Sequence, residues 1–308
     1  MTTTLDAAAG AVRETGGELR AGGTDVTTRA TRPLVDLLGV PGLHGATWQP
    51  DGSARIGALT TIADLLADDR LTAAYPALAA TAAAVATPQI RNVATVGGNL
   101  LQRNRCWYLR NPAFDCHQTG GDTCPARGGN HLYSAVIDLG PCVASHPSSL
   151  AVALLTYAAT ADVHGRSALP IADLYGDGGD PTRDHRLDAA EILEAIRMPA
   201  PTPGERAAYR RATTRAMADW PLAEAAVRLT LDGDTVTTAA IAVGGVARTP
   251  LLLPEVAEAL IGKPATEETL ASAADLATAR ATPLPGTAYK VPILRATLVD
   301  TLTAACAP

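Results

Sequence analysis

Apolar positions along this chain change period every few tens of residues, and the changes mark out its elements. Ala7, Ala8 and Val12 share a helical face within residues 5–15, and the alternation from Glu18 to Ala21 predicts a strand. That strand runs into the glycine turn Arg20-Ala21-Gly22-Gly23-Thr24-Asp25. Residues 34–38 read as a second strand stopped by Gly39-Val40-Pro41-Gly42, and residues 54–58 as a third. Helices are predicted over 61–68, opened by a threonine, and over 73–86, with Pro76 accommodated in the first turn. Residues 89–100 return to strand and turn around Thr95-Val96-Gly97-Gly98-Asn99. An apolar helix over 150–161 leads into a strand through Val163, residues 176–181 form a polar loop, and a strand over 192–198 is stopped by Pro199 and Pro201.

Residues 199–205 read as a linker. Beyond it, Asp232-Gly233-Asp234 between alternating apolar residues predicts a hairpin across 222–240, continued by a strand at 241–246. Helices follow at 254–260, 266–282 and 291–305. Elements alternate between helix and strand, and no internal repeat is present.

Composition narrows the functional classes. A chain of 308 residues that is 47% hydrophobic is long enough for two buried cores. The net charge of −6 gives nucleic-acid binding no electrostatic support. Apolar runs such as 78–85 are far shorter than a membrane span. The first residues contain neither a basic nor an apolar signal region, so a cytoplasmic location is expected, or a periplasmic one only by co-export with a signal-bearing partner. Aromatic residues make up only 4%, and Lys263 and Lys290 are the only lysines.

The candidate chemistry lies in two places. Cys106, Cys116, Cys124 and Cys142 fall within 37 residues, spaced x9, x7 and x17, while the fifth cysteine, Cys306, is remote. Soft thiolates suit an iron–sulfur cluster or zinc, but no C-x(2–4)-C knuckle of a structural zinc site is present. A [4Fe-4S] cluster, zinc and free thiols all remain open on the residues alone. Arg103, Arg105, Arg110 and Arg127 would balance an anionic cluster, or else form a solvated loop face. His117 and His131 read as loop residues. The two glycine turns suit a phosphate-bearing cofactor through consecutive N–H groups. Neither matches G-x-G-x-x-G, and an ordinary turn is the plain alternative.

The order of the motifs is more specific. Arg20 to Val26, Leu34-Val35-Asp36-Leu37, Ile56-Gly57-Ala58-Leu59-Thr60-Thr61 and Arg91 to Leu100 are followed by Glu191-Ile192-Leu193, Gly244-Gly245-Val246-Ala247, Ala257-Glu258-Ala259-Leu260 and Ala288-Tyr289-Lys290. This series resembles the FAD-binding medium subunit of molybdenum hydroxylases, the xanthine dehydrogenase and carbon monoxide dehydrogenase family. Gly97 to Arg103, then Arg105-Cys106-Trp107-Tyr108-Leu109-Arg110 and three further cysteines, resembles the subgroup with an extra [4Fe-4S] cluster, found in bacterial aldehyde oxidoreductases and 4-hydroxybenzoyl-CoA reductases.

The resemblance implies an α+β fold: a p-cresol methylhydroxylase-type FAD-binding domain of two subdomains over 1–199, its cysteine loop at 102–142, and a carbon monoxide dehydrogenase flavoprotein-like domain over 206–308. It implies that Ala21, Gly22, Gly23, Thr24, Asp25 and Val26 wrap the FAD pyrophosphate. Thr95, Gly98 and Asn99 would make a second phosphate and ribityl contact, with Gly97 and Gly98 allowing close backbone approach. His146 would take a positional role in the flavin-side loop, and Lys290 would approach the flavin. Ser149 stands where the family commonly has an aspartate, so a charge is lost there. Trp220, where a smaller aromatic is common, is expected to fill core space. The cluster ligands would be Cys106, Cys116, Cys124 and Cys142.

The implied activity is electron transfer, with no residue of this chain acting on the organic substrate. A molybdopterin-binding large subunit would oxidise an aldehyde or N-heterocycle, a [2Fe-2S] small subunit would relay the electrons, and the flavin here would pass them to an external acceptor. The alternatives are a stand-alone FAD-dependent oxidase or dehydrogenase acting directly on a small molecule, and an interaction subunit with a structural cluster.

Overall fold

The computed structural model describes residues 3–29, 31–215 and 218–307. Its strands, in chain order, are β1 (Glu18–Arg20), β2 (Leu34–Asp36), β3 (Ala46–Trp48), β4 (Ala54–Gly57), β5 (Thr160–Val163), β6 (Arg166–Pro170), β7 (Leu193–Met198), β8 (Arg206–Ala212), β9 (Ala223–Asp232), β10 (Thr235–Gly244) and β11 (Leu251–Leu252). They form three sheets: β1 beside β2, the order β3-β4-β7-β5-β6, and the order β11-β10-β9-β8. Among the described residues only the β1–β2 pair is parallel.

Each sheet has its own core. Ala8, Ala9 and Val12 of the helix Leu5–Thr15 pack with Val35, Leu37, Leu43 and Leu59 beneath the parallel pair. The five-stranded sheet buries Ile56, Ile196 and Ala161 against the helices Ile62–Ala67, Pro76–Ala84 and Ser149–Thr156. The C-terminal sheet buries Val227, Leu229 and Val243 against Pro254–Leu260, Glu267–Ala279 and Lys290–Cys306. Every residue of Ser149–Thr156 is buried, because this apolar helix runs between the central and C-terminal cores. The start of β9 is buried continuously for the same reason, with that helix and Lys290–Cys306 both packing on it.

Two expected elements come out differently. The helix expected over 73–86 is divided into Asp69–Ala74 and Pro76–Ala84. Pro76 excludes Tyr75 from helical dihedrals (φ −131°, ψ 66°) and then serves as the first helical residue. The strand and turn expected over 89–100 are two short helices, Pro88–Arg91 and Val96–Leu100, capped by the side chains of Thr87 and Thr95. No helix among the described residues is long and apolar enough to cross a membrane.

The cysteine segment has little regular structure, only Trp107–Arg110 and Pro125–Gly128 being helical, and is held by side chains from distant parts of the chain. Buried Asp184 accepts from Arg103 Nε (2.8 Å), Asn104 N (3.1 Å), Asn104 Nδ2 (2.9 Å) and Gln118 Nε2 (3.0 Å), and pairs with buried Arg248. Burial alone would raise the Asp184 carboxyl, but Arg248 and Arg103 outweigh it and hold its pKa far below the ordinary range. Farther along, Lys290 Nζ donates to the carbonyls of Ser134 (2.9 Å) and Gly245 (2.7 Å). His131 Nε2 accepts from Gly286 N (3.0 Å), which leaves its proton on Nδ1 to donate to Ala126 O (3.1 Å).

Asp184→Asn leaves Arg103 and Arg248 without their shared counter-charge. The expected loss is about 3–5 kcal/mol of stability, the range for breaking a buried ion pair, with faster proteolysis inside residues 102–142. Denaturant unfolding and limited digestion measure both. Because the folded carboxyl is depressed, its contribution is present above the ordinary carboxylate pKa and is lost as pH falls below it. Parental stability of the variant at neutral pH contradicts this account.

Candidate functional site

The first glycine turn leaves β1 and folds back on the segment before the second. A Cβ on Gly22 would lie 1.8 Å from Val93 O, and one on Gly97 would lie 2.9 Å from Ala58 Cβ. The glycines therefore admit the chain's own backbone, which pins the two turns together. Gly23 needs its missing side chain for another reason, a left-handed φ of 74°. Between the turns lies a cleft of about 300 Å³, lined by Ala21, Gly22, Gly23, Thr24, Asp25 and Val26, with Thr95, Gly97 and Gly98 opposite.

The two turns are not equivalent as anion sites. Val96 N and Gly97 N donate to Thr60 O (2.9 Å) and Ala58 O (2.8 Å), Asn99 N to Thr95 O (2.9 Å) and Gly98 N to Thr95 Oγ1 (3.0 Å). The second turn therefore spends its N–H groups on its own fold. Among the described residues, the N–H groups of Gly22, Gly23 and Thr24 take part in no backbone hydrogen bond. They are the cleft's candidate donors to a phosphate. Asp25 holds its turn in place from outside: Oδ1 accepts from Arg110 Nη2 (2.8 Å) and pairs with Arg105, while Oδ2 accepts from Arg103 N (3.0 Å). Burial opposes its ionisation, and these partners outweigh burial and lower its pKa.

The cleft continues into a cavity of about 190 Å³ lined by Thr24, Asn99, Gln102, Arg105, Ser149 and Trp220, among others. Ser148 Oγ donates to Asn99 Oδ1 (2.8 Å), joining the second turn to the helix Ser149–Thr156. Ser149 neighbours a buried carboxyl, Glu224. Glu224 of β9 is fully buried, accepts from the Tyr209 hydroxyl on Oε2, and has its pKa raised by burial despite the neighbouring Ser149 and Tyr209 hydroxyls.

His146 and Lys290 lie outside both cavities of the cleft. His146 Nδ1 accepts from Ser148 N (3.2 Å), its ring packs edge-on to Tyr175, and burial draws its pKa down to about 3. It is a neutral brace for residues 146–149. Lys290, expected near the flavin, is a buried strut between Ser134 and Gly245, with burial drawing its pKa down to about 7. Trp220, expected in the core, is 48% exposed.

All four clustered cysteines line one small cavity of about 20 Å³ with Tyr108, His117, Ala126 and Ala144. That is room for little more than a water molecule. Among the described residues, no three His, Cys, Asp or Glu side chains stand at metal-holding spacing. The donors are of the right type, gathered but closed on themselves: a hydrogen bond with Cys142 holds the Cys124 thiol below its ordinary range. The four nearby arginines do not serve the cysteines. Arg103 pairs with Asp184, Arg105 and Arg110 with Asp25, and Arg127 with Asp138. The cation acting on Cys142 is Arg248, which no local signal in the sequence singles out. Asp184, Glu224 and Arg248 are each brought in from more than forty residues away, so spacing within the cysteine loop does not reveal them.

The FAD binding domain in molybdopterin dehydrogenase matches residues 3–201, and the CO dehydrogenase flavoprotein C-terminal domain matches residues 207–307. The chain is 33% identical over 261 residues to the aldehyde oxidoreductase FAD-binding subunit PaoB of Escherichia coli K12, covering 80% of each. It is 31% identical over 252 residues to the carbon monoxide dehydrogenase medium chain of Afipia carboxidovorans, covering 80% of this chain and 72% of that one. In three dimensions it is similar to the carbon monoxide dehydrogenase of Hydrogenophaga pseudoflava, at 25% identity and a TM-score of 0.77, covering 99% of this chain and 95% of the other. The chain thus belongs to the FAD-binding medium subunits of the molybdenum hydroxylase family, which are subunits of oxidoreductases.

Proposed function

We propose that this chain carries electrons through FAD and a [4Fe-4S] cluster within a molybdenum hydroxylase complex, from a [2Fe-2S] subunit to an external acceptor. The observation that carries the reading is the continuity of residues 102–106. Gln102 and Arg103 line the glycine cleft, Arg105 lines its inner cavity, and Cys106 lines the cysteine cavity. One extended segment is therefore a wall of both candidate cofactor sites.

FAD, when bound, supplies the exchange between one- and two-electron transfer. Ala21 to Val26 would receive its pyrophosphate on the N–H groups of Gly22, Gly23 and Thr24, with Thr95 and Gly98 closing the opposite wall. Asn99 and Ser149 would flank the sugar-alcohol chain. Cys106, Cys116, Cys124 and Cys142 would be the cluster's ligands, with Arg248 acting on Cys142 to offset its negative charge. A molybdopterin-binding subunit would meet the aldehyde or heterocycle. The relatives above are named as a FAD-binding subunit and a medium chain, which supports a role as one subunit of a larger oxidoreductase.

Anaerobically purified protein is expected to contain about four iron and four sulfide per chain. Cys124→Ser should remove most of the iron while FAD remains. Zinc in place of iron and sulfide, by elemental analysis, contradicts the cluster.

FAD is expected to be non-covalent, since neither glycine turn contains a histidine or cysteine, and among the described residues the cleft lining includes no cysteine and one histidine, the half-buried His185. Gly23→Val forces a β-branched residue to φ 74° with its Cβ 2.7 Å from Thr27 Oγ1, and should weaken FAD binding by more than about tenfold, of the order of 1.4 kcal/mol. Flavin fluorescence titration reads the loss. Flavin that stays with acid-precipitated polypeptide overturns the non-covalent assignment.

A further inference from the structure

A third cavity lies between the two candidate cofactor sites, and its lining is unusual for this chain. The chain has only 3 Trp, 7 Tyr and 1 Phe. Four of these, Trp107, Tyr108, Tyr133 and Trp220, line this one cavity of about 290 Å³. Phe114 backs Tyr108 edge-on, with ring centroids 4.9 Å apart. Trp107, Tyr133 and Trp220 are 64%, 49% and 48% exposed, whereas Tyr75, Tyr157, Tyr175 and Tyr209 are buried in the central core. Large aromatics held half in water at one spot are a recognition surface rather than leftover core.

The walls have a defined arrangement. Trp107 and Tyr133 face each other with ring centroids 6.4 Å apart and planes inclined by 49°. Across the cavity, the Arg105 guanidinium lies 4.5 Å from the Trp220 ring centroid. Arg105, Pro147, Asp219 and Trp220 also line the inner cavity of the glycine cleft, so the stacked pair is a partition between the two spaces. On the other side, Cys106, Tyr108 and Ala144 are shared with the cysteine cavity. Asn130, Ser145, His146, Thr214 and Arg215 supply polar groups to the same lining, His146 being the brace of the flavin-side loop described above.

We infer that this cavity binds a planar aromatic ring bearing carbonyl oxygens, a quinone-class electron acceptor. This rests on the electron-transfer reading above and adds to it the place and chemical class of the acceptor. Aromatic walls stack on a flat ring of any substitution. The Arg215 guanidinium suits a carbonyl oxygen and the negative charge that grows on it during reduction, while Arg105, held by Asp25 and Gln102, contributes the face it shares with Trp220. The volume, at the small end of ligand sites, fits one or two fused rings. A nicotinamide dinucleotide is a poor match, because its pyrophosphate would find no glycine turn in this lining. The chemistry balances: quinone plus two electrons and two protons gives hydroquinone. The electrons are those the complex withdraws from its organic substrate, crossing the shared partition, and the protons come from solvent.

The test is calorimetric titration of the FAD-loaded, oxidised protein with duroquinone, whose fully substituted ring does not alkylate thiols. One molecule should bind per chain. Trp107→Ala and Tyr133→Ala, which lie outside the cleft lining, should each weaken binding roughly tenfold, with FAD content and the flavin absorption spectrum unchanged. Trp48→Phe, remote from the cavity, should bind as the parent does. Absence of stoichiometric binding, or parental affinity in both aromatic variants, overturns the inference. So does displacement of duroquinone by excess FAD, which would merge the cavity with the flavin site, or loss of binding on assembly with partner subunits, which would make it a subunit contact. A preparation that holds no FAD rejects the parent reading, whereas a FAD-loaded one that ignores duroquinone rejects this site alone.

Discussion

The buried carboxylate of Asp184 is the constraint on which the candidate site depends. It takes donors from Arg103, Asn104 and Gln118 of the cysteine segment and from Arg248 after β10, and so joins parts of the chain that share no sheet. A charge this deep is tolerable only with its lone pairs filled and a cation beside it, and both conditions are met. Without it, a segment with two short helices and many polar side chains would have little reason to hold one conformation against the cleft. The same node sets where Arg248 stands and hence which cation reaches Cys142. Asp25 repeats the device from the cleft side, tying the first glycine turn to Arg105 and Arg110. The two carboxylates meet at Arg103, Asp25 taking its N–H and Asp184 its Nε, and so both hold the segment between the candidate flavin and cluster sites.

The glycine turns do different jobs despite similar sequences. Gly22 and Gly97 are required because backbone approaches them, from Val93 and Ala58 respectively. That packing makes the cleft narrow and rigid, and the second turn uses up its own N–H groups in doing so. Binding capacity is left to the first turn. A glycine pair in sequence signals only that something comes close, and whether that something is a ligand or the chain itself is a tertiary matter.

Much of the architecture was legible before the structure. The Asp232-Gly233-Asp234 hairpin, the Thr61 cap and the helices at 254–260 and 291–305 each carry a local signal in turn chemistry or period. So did the gathering of four cysteines, since proximity in sequence limits how far a loop can separate them. Residues 96–100 were misread because a threonine cap and a close helix contact resemble a loop when only the glycines are seen. Lys290, which the resemblance brings to the flavin, bonds two carbonyls through a contact no local signal reveals, and Trp220 was misread because a large apolar side chain is usually buried. The Asp184 network and the Glu224–Tyr209 pair could not be read at all. Their partners lie 15 to 81 residues apart, and no periodicity links them.

In this account the chain is a relay: a flavin cleft and a thiolate pocket share one wall, and the organic substrate is met elsewhere. The most direct measurement is rapid anaerobic mixing of the FAD-loaded chain with an aldehyde, alone and after assembly with molybdopterin and [2Fe-2S] subunits, following flavin absorbance. The account predicts bleaching of the flavin only in the assembled complex. Flavin reduction by the aldehyde in the chain alone would contradict it and make this protein an oxidase in its own right.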